Sequence, residues 1–128
     1  MKIINLVEFL ELPAGTLFSK YQPSVFEELM IKGDTWEHDF LYQDTVSAIK
    51  SHGSSDMLNK LDDAEKNGAS VDMDFNGVGR DGCYDDEQLF SVWESEDLNR
   101  FMIRLKECAC SAYGQEHQLI NDGCPKVK

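Results

Sequence analysis

The chain has 128 residues and a formal net charge of −12, from 24 acidic and 12 basic side chains. This length is typical of one domain with its own hydrophobic core, and 13 aromatic residues exclude an intrinsically disordered chain. No apolar run reaches the ~20 residues of a membrane-spanning helix. Glu8 and Glu11 interrupt the apolar start, so we expect no signal peptide and a cytoplasmic protein.

The first third of the chain reads as short strands separated by turns. Asn5 precedes Glu8 at the spacing of a capping box, which predicts a short helix that ends at Pro13. The turn-forming pairs that follow include Gly33-Asp34. Strands are predicted over residues 2–4, 16–21, 28–32 and 39–43. Because the later ones are close in sequence, they predict an antiparallel meander.

The middle of the chain is predicted to hold two short helices. Asp44 can cap a helix over residues 45–53, and Ser54 or Ser55 can cap another that ends at Gly68. Next, apolar and acidic residues alternate over 71–75, which is the period of a half-buried strand. A second alternating strand is predicted over 88–94, joined to the first by a glycine-rich connection.

The last element is an amphipathic helix that begins at Ser95. Its apolar stripe follows helical spacing and consists of Leu98, Phe101, Met102, Leu105 and Cys108. Ile103 lies off this stripe, which is compatible with a homodimer. The predicted fold is α+β: an antiparallel sheet of about five strands, with the C-terminal helix packed on one face and short helices in the middle. We expect one domain over residues 1–114 and a loose polar tail over 115–128.

The stretch "DMDFNGVGRDGC" opens like a calcium loop, with Asp72, Asp74, Asn76 and Gly77 at the first, third, fifth and sixth positions. The twelfth position holds Cys83 in place of the bidentate glutamate. The better interpretation is therefore a strand followed by a turn. The four cysteines lack a zinc-type spacing, which favours reduced thiols. The histidines stand in no catalytic motif, and we expect no metal, no cofactor and no enzymatic activity.

The acidic charge is concentrated in one third of the chain. Residues 56–97 contain 13 acidic side chains and three basic ones, ten negative charges of the total of 12. This charge disfavours direct binding to a nucleic-acid backbone. It favours a basic protein surface as the partner, with Tyr84 and Trp93 as candidate aromatic anchors. The predicted contact residues are Asp62, Asp63, Glu65, Asp72, Asp74, Asp81, Tyr84, Asp85, Asp86 and Glu87.

Two segments carry a resemblance to a known group. "LPAGTLFSKYQPSVFEELMIKGDTW…DFLYQD" (residues 12–44) and "GCYDDEQLFSVWESEDL" (residues 82–98) resemble small acidic proteins of tailed phages and prophages. That group includes inhibitors of host defence, of the anti-CRISPR and anti-restriction types, some of which mimic DNA. The resemblance implies a non-catalytic inhibitor that binds a basic, nucleic-acid-binding host protein through a nucleic-acid-mimicking face formed by residues 56–97.

Two alternatives remain open at this point. One is an immunity protein that neutralises a basic nuclease toxin, which relies on the same physics. The other is a sponge that sequesters a nucleotide messenger, which needs cationic donors for phosphate. The arginines to test for that role are Arg80, Arg100 and Arg104.

Overall fold

The computed structural model describes residues 1–23 and 25–114. The chain divides into two compact units, Lys2–Val92 and a second formed by Met1 and the chain from Trp93 onward, and each is described by itself. The tail predicted over 115–128 lies outside the described residues. Within the described part, no helix is long and apolar enough to cross a membrane.

The described residues of the first unit form nine strands and two helices. The strands are β1 Lys2–Ile4, β2 Leu17–Gln22, β3 Val25–Phe26, β4 Met30–Trp36, β5 Asp39–Asp44, β6 Ala48–Ile49, β7 Met73–Asp74, β8 Gly79–Arg80 and β9 Leu89–Val92. The helices are α1 Leu6–Leu10 and α2 Ser54–Asn67. Seven strands form one sheet in the order β1-β9-β2-β4-β5-β8, with β3 paired to β2, and β6 pairs with β7 in a second sheet. All pairs are antiparallel, so the predicted α+β class and the meander β2-β4-β5 are confirmed.

Four phenylalanines form the core of this unit. Phe9 of α1 is fully buried and stacks on Phe90 of β9, with 4.1 Å between the ring centroids. Its ring also meets the edges of Phe18 and Phe40, at 4.7 and 4.8 Å. The helix that delivers Phe9 begins as predicted, because the Asn5 side chain accepts a hydrogen bond from the Glu8 backbone at 2.9 Å. One short helix therefore closes one face of the central strands.

A lysine is buried beside this aromatic core. Lys32 of β4 is 1% exposed, and its ammonium lies 5.8 Å from the centre of the Phe9 ring. The ammonium donates to the Thr35 hydroxyl at 2.7 Å and to the Gly33 carbonyl at 3.1 Å. The same hydroxyl donates to the Leu10 carbonyl at 2.6 Å, which links the end of α1 to β4. Burial lowers the pKa of Lys32, and Asp34 opposes part of that effect.

The prediction of a helix over residues 45–53 is wrong. That segment contains the strand β6. The backbone amides on either side of β6 donate to carbonyls at β7: Ser47 to the Asp74 carbonyl at 2.9 Å and Lys50 to the Asp72 carbonyl at 2.8 Å. The strand predicted over 71–75 consequently pairs there, as β7, and not with the strand predicted over 88–94. That second strand is β9, which lies between β1 and β2 in the main sheet.

The second unit contains α3, Ser95–Cys108, and a π-helical segment, Ala109–Tyr113. The N-cap is Glu94, one residue before the predicted Ser95, because the Glu94 and Asp97 side chains form a reciprocal capping box. The Trp93 ring packs edge-on against Phe101 of α3 at 5.2 Å.

The cysteines divide into two kinds in the described residues. Cys83 and Cys108 are free thiols, as the sequence predicts. Cys110 is disulfide-bonded, which corrects the expectation of reduced thiols at that position.

Candidate partner-binding surface

The first group of predicted contact residues lies on α2. Asp62, Asp63 and Glu65 are exposed on this helix, which ends at Gly68 in the left-handed conformation, as predicted. Asp62 forms an exposed ion pair with Lys66 at 2.9 Å. Asp63 accepts a hydrogen bond from Asn67 at 2.7 Å, and Glu65 forms no ion pair with a described lysine or arginine. These helix acids are accessible, but one of them already has a cationic partner.

The second group surrounds β7. Asp72 and Asp63 line one cavity of about 190 Å³ together with Lys50 and Lys60, so the structure brings two of the predicted acids together. Asp74 instead accepts a hydrogen bond from the Asn76 amide at 2.8 Å. This contact is a local turn of the Asx type. It supports the interpretation of the segment as strand and turn.

Asp81 differs from the other predicted acids because it faces the interior. Its side chain is 10% exposed and forms an ion pair with Lys20 of β2 at 2.7 Å. The other carboxylate oxygen accepts the Cys83 amide at 3.1 Å. Pairing of β8 with β5 draws the segment inward, and the Asp81 amide donates to the Phe40 carbonyl at 3.2 Å. The charge of Asp81 is therefore compensated within the fold.

Asp39, a residue that the sequence analysis missed, organises the same region. It is 8% exposed and accepts hydrogen bonds from the Phe40 amide at 2.7 Å, the Gly82 amide at 2.8 Å and the Arg80 guanidinium. Burial raises the pKa of this carboxyl, but the hydrogen bonds from Arg80 and the two amides outweigh burial and hold it below its usual range. Two of these partners lie more than 40 residues away along the chain, at Arg80 and Gly82. No local sequence signal could have identified the interaction.

Asp39, Asp81 and Cys83 place three potential metal-binding atoms within 4.8 Å of one another. The two carboxylates already pair with cations of the chain, Arg80 and Lys20. Burial raises the pKa of the Cys83 thiol to about 12, with Asp81 and Asp39 adding to the effect, so the sulfur stays protonated. A metal needs the thiolate. This cluster is accounted for as an internal charge network.

A small cavity of about 260 Å³ lies next to this network, at the turn between β4 and β5. Its lining includes Trp36, His38 and Arg80. The Arg80 guanidinium lies 5.6 Å from the centre of the Trp36 ring, a cation–π distance. An aromatic face and an arginine in one cavity are groups that bind nucleotides.

The third group of predicted residues forms an acidic loop, residues 84–87, which precedes β9. The Asp85 side chain accepts the Glu87 amide at 3.0 Å, and the Gln88 amide donates to the Asp85 carbonyl at 3.2 Å, so the loop is a hydrogen-bonded turn. Tyr84 is 98% exposed, and its ring lies against Gly82, where a Cβ atom would come within 2.7 Å. Asp85, Asp86 and Glu87 are exposed and form no ion pair with a described lysine or arginine.

The ten predicted contact residues thus fall into three settings. The helix and β7 acids meet in part, through Asp63 and Asp72. The acidic loop presents uncompensated charge, and Asp81 serves the fold. Comparison of the chain with family models, with curated proteins and with solved structures found no match.

Proposed function

We propose that this protein is a non-catalytic, cytoplasmic inhibitor that binds a basic, nucleic-acid-binding protein. The acidic loop, residues 84–87, is the primary contact, and the α2 acids Asp63 and Glu65 add to it. The observation that carries the proposal is the set of three exposed carboxylates beside a tyrosine that is 98% exposed. A groove that accepts phosphates can accept such an array of carboxylates in their place.

The energetics of the loop support this role. An exposed ion pair is worth about 0.2–1 kcal/mol, so three of them contribute roughly 1–3 kcal/mol when the partner supplies lysines or arginines. The charges also speed association by steering, an effect that salt screens over a distance of about 8 Å at physiological ionic strength. Tyr84 supplies a large contact area of the kind found at interface hot spots.

The resemblance to phage and prophage proteins supports the biological setting. A host defence protein that acts on nucleic acids needs a basic groove, since lysine and arginine neutralise the phosphates. Occupation of such a groove by a protein inhibits without catalysis, which agrees with an acidic surface and requires no cofactor.

The test is affinity capture from a bacterial lysate with the tagged protein, followed by identification of the captured protein and binding measurements on it in purified form. We expect a basic, nucleic-acid-binding target that is released at 0.5 M salt and displaced by duplex nucleic acid. The variant D85N/D86N/E87Q should bind about 5- to 150-fold more weakly, in line with the loss of about 1–3 kcal/mol.

A matched control removes three other exposed acids, in the variant E8Q/E11Q/E107Q. This variant has the same net charge as the loop variant and should retain nearly full affinity. Equal losses in the two variants would show that only overall charge matters, and an unchanged affinity in the loop variant would refute the loop as the contact.

A second candidate is a sponge for a nucleotide messenger, and the cavity lined by Trp36 and Arg80 favours it. Of the other two arginines, Arg100 pairs with Glu96 at 3.1 Å on the surface of α3. Heat release of a bound nucleotide from the purified protein, with loss of binding in Arg80→Ala, would establish this function. Capture of a nuclease toxin in the lysate experiment would instead identify an immunity protein.

A further inference from the structure

The main sheet of the unit Lys2–Val92 carries an open cleft of about 560 Å³. Its apolar lining includes the partly buried Met30 and Tyr42 beside the core residue Phe40, and its acidic side chains include Glu27, Glu28 and Asp44. This volume is in the range of ligand-binding pockets, which combine an apolar lining with a few polar groups. None of these residues is a contact residue in the function proposed above.

The cleft arises from a break in strand pairing. β2 pairs with β4 at Leu17 and Phe18 and with β3 at Tyr21 and Gln22, so these pairings skip Ser19 and Lys20. The segment 27–29, which connects β3 to β4, contributes Glu27 and Glu28 to the cleft at this position. On the other side of β4, Asp44 pairs with Met30 across the ladder, which places both on the same face of the sheet.

The cleft already contains one cation of the chain. The Lys20 ammonium pairs with Asp81 at 2.7 Å, and that hydrogen bond, with smaller contributions from Glu27 and Tyr42, raises the pKa of Lys20. The cleft is lined by four carboxylates and one ammonium, which give it a net charge of −3: Glu27, Glu28, Asp44 and Asp81 against Lys20. Glu28 and Asp44 form no ion pair with a described lysine or arginine. The environment therefore favours a second cation.

We propose that this cleft accepts an arginine side chain of the basic partner, an inference that rests on the function proposed above. A guanidinium is planar and weakly hydrated, so it can lie on an aromatic ring such as that of Tyr42 while it donates to two carboxylates. Its methylene stem covers apolar surface such as Met30. An ammonium of lysine is more strongly hydrated and loses more on entering an apolar cleft.

The experiment is a titration of the ¹⁵N-labelled full-length protein with Nα-acetyl-L-arginine methylamide, followed by amide NMR spectra. We expect saturable shifts at the cleft residues Lys20, Tyr42 and Asp44, with a Kd of roughly 1 mM. The citrulline analogue has nearly the same shape without the charge and should produce no saturable shifts. Equal shifts with citrulline, or shifts that fall on the acidic loop, residues 84–87, would overturn the assignment.

Two double variants sharpen the test. E28Q/D44N should weaken binding of the arginine probe at least about fivefold, while E11Q/E107Q, with the same net charge and substitutions outside the cleft, should not. The dispersion of the amide spectrum shows that each variant is folded. The lysine analogue of the probe should bind more weakly than arginine, and preference for lysine would overturn the choice of guest.

The captured target separates this inference from the proposed function. Weaker target binding by both E28Q/D44N and the loop variant D85N/D86N/E87Q supports the two together. Weaker binding by the loop variant alone overturns the cleft and leaves the proposed function in place. If neither variant affects target binding, the proposed function is refuted. The proposal that the cleft accepts an arginine of the partner is then refuted as well.

Discussion

Replacing Lys32 by methionine tests how the core tolerates a buried charge. Lys32 is 1% exposed, and its ammonium contacts neutral acceptors, the Thr35 hydroxyl and the Gly33 carbonyl. It forms no ion pair with a described acid. Removal of a charge from water costs several kcal/mol in a protein interior unless partners compensate it. Methionine has a similar length and volume and carries no charge, so the variant removes this cost with little change in packing.

The sign of the pH dependence follows from the lowered pKa of Lys32. The unfolded chain keeps the proton up to its pKa of 10.5, whereas the folded protein releases it at lower pH. Between these two pKa values the unfolded state binds more protons, so the free energy of unfolding rises with pH, by at most about 1.4 kcal/mol per pH unit. Below the folded pKa the whole penalty is present. Lys32→Met has no such proton, so its stability lacks this rise.

The assay is urea unfolding of wild type and Lys32→Met at intervals from pH 7 to 10.5. We expect the difference in unfolding free energy between the two proteins to move in favour of wild type as the pH rises through the alkaline range. Lys2→Met, at an exposed lysine, controls for the loss of one positive charge. Parallel curves for wild type and Lys32→Met over the whole range would refute the argument that burial perturbs this lysine.

Three further predictions concern single residues. Phe9→Ala removes the ring at the centre of the aromatic core and should cost about 3–5 kcal/mol, a large part of the stability of such a domain, which thermal unfolding would measure. At pH 8, iodoacetamide should alkylate the exposed Cys108 much faster than Cys83, whose pKa is raised to about 12 by burial, and peptide mass mapping would detect any reversal of that order. Asp81→Asn should destabilise the protein by roughly 1–3 kcal/mol, since it breaks the ion pair with the partly buried Lys20; unchanged stability would show that the pair contributes nothing.

Local sequence signals predicted the elements whose ends are fixed by nearby residues. Asn5 caps α1 through the Glu8 amide, and Gly68 ends α2 with a positive φ of 69°. Both devices operate within four residues, so a single sequence displays them. The alternation of apolar residues likewise identified β9, although it could not identify its neighbours, because period two is the same in any sheet.

The errors arose where tertiary contacts outweighed local preference. Val46 and Ile49 are three residues apart, which suits a helix, but Ile49 pairs with Met73 across the small sheet. Asp81 was predicted to be a surface contact and Asp39 was not singled out, yet contacts with Lys20 and Arg80, distant in sequence, draw both carboxylates inward. The predicted contact residues include both exposed loop acids and an acid that maintains the fold, and the sequence could not separate the two, since a sequence gives charge without burial.

Net charge therefore differs from the charge that a partner meets. The α2 acid Asp62 holds Lys66 at the surface, and such an i,i+4 pair is worth only about 0.3–0.5 kcal/mol, so a cation of the partner can displace the lysine at little cost. Asp81 is 10% exposed and bound to Lys20, so a partner can reach it only by breaking an interaction of the fold. The loop acids require neither step, because they are exposed and form no ion pair with a described base. Under the proposed function, a basic partner is expected to gain most from the loop, less from α2 and least from Asp81. This order follows from burial and pairing, since all of these carboxylates carry the same charge.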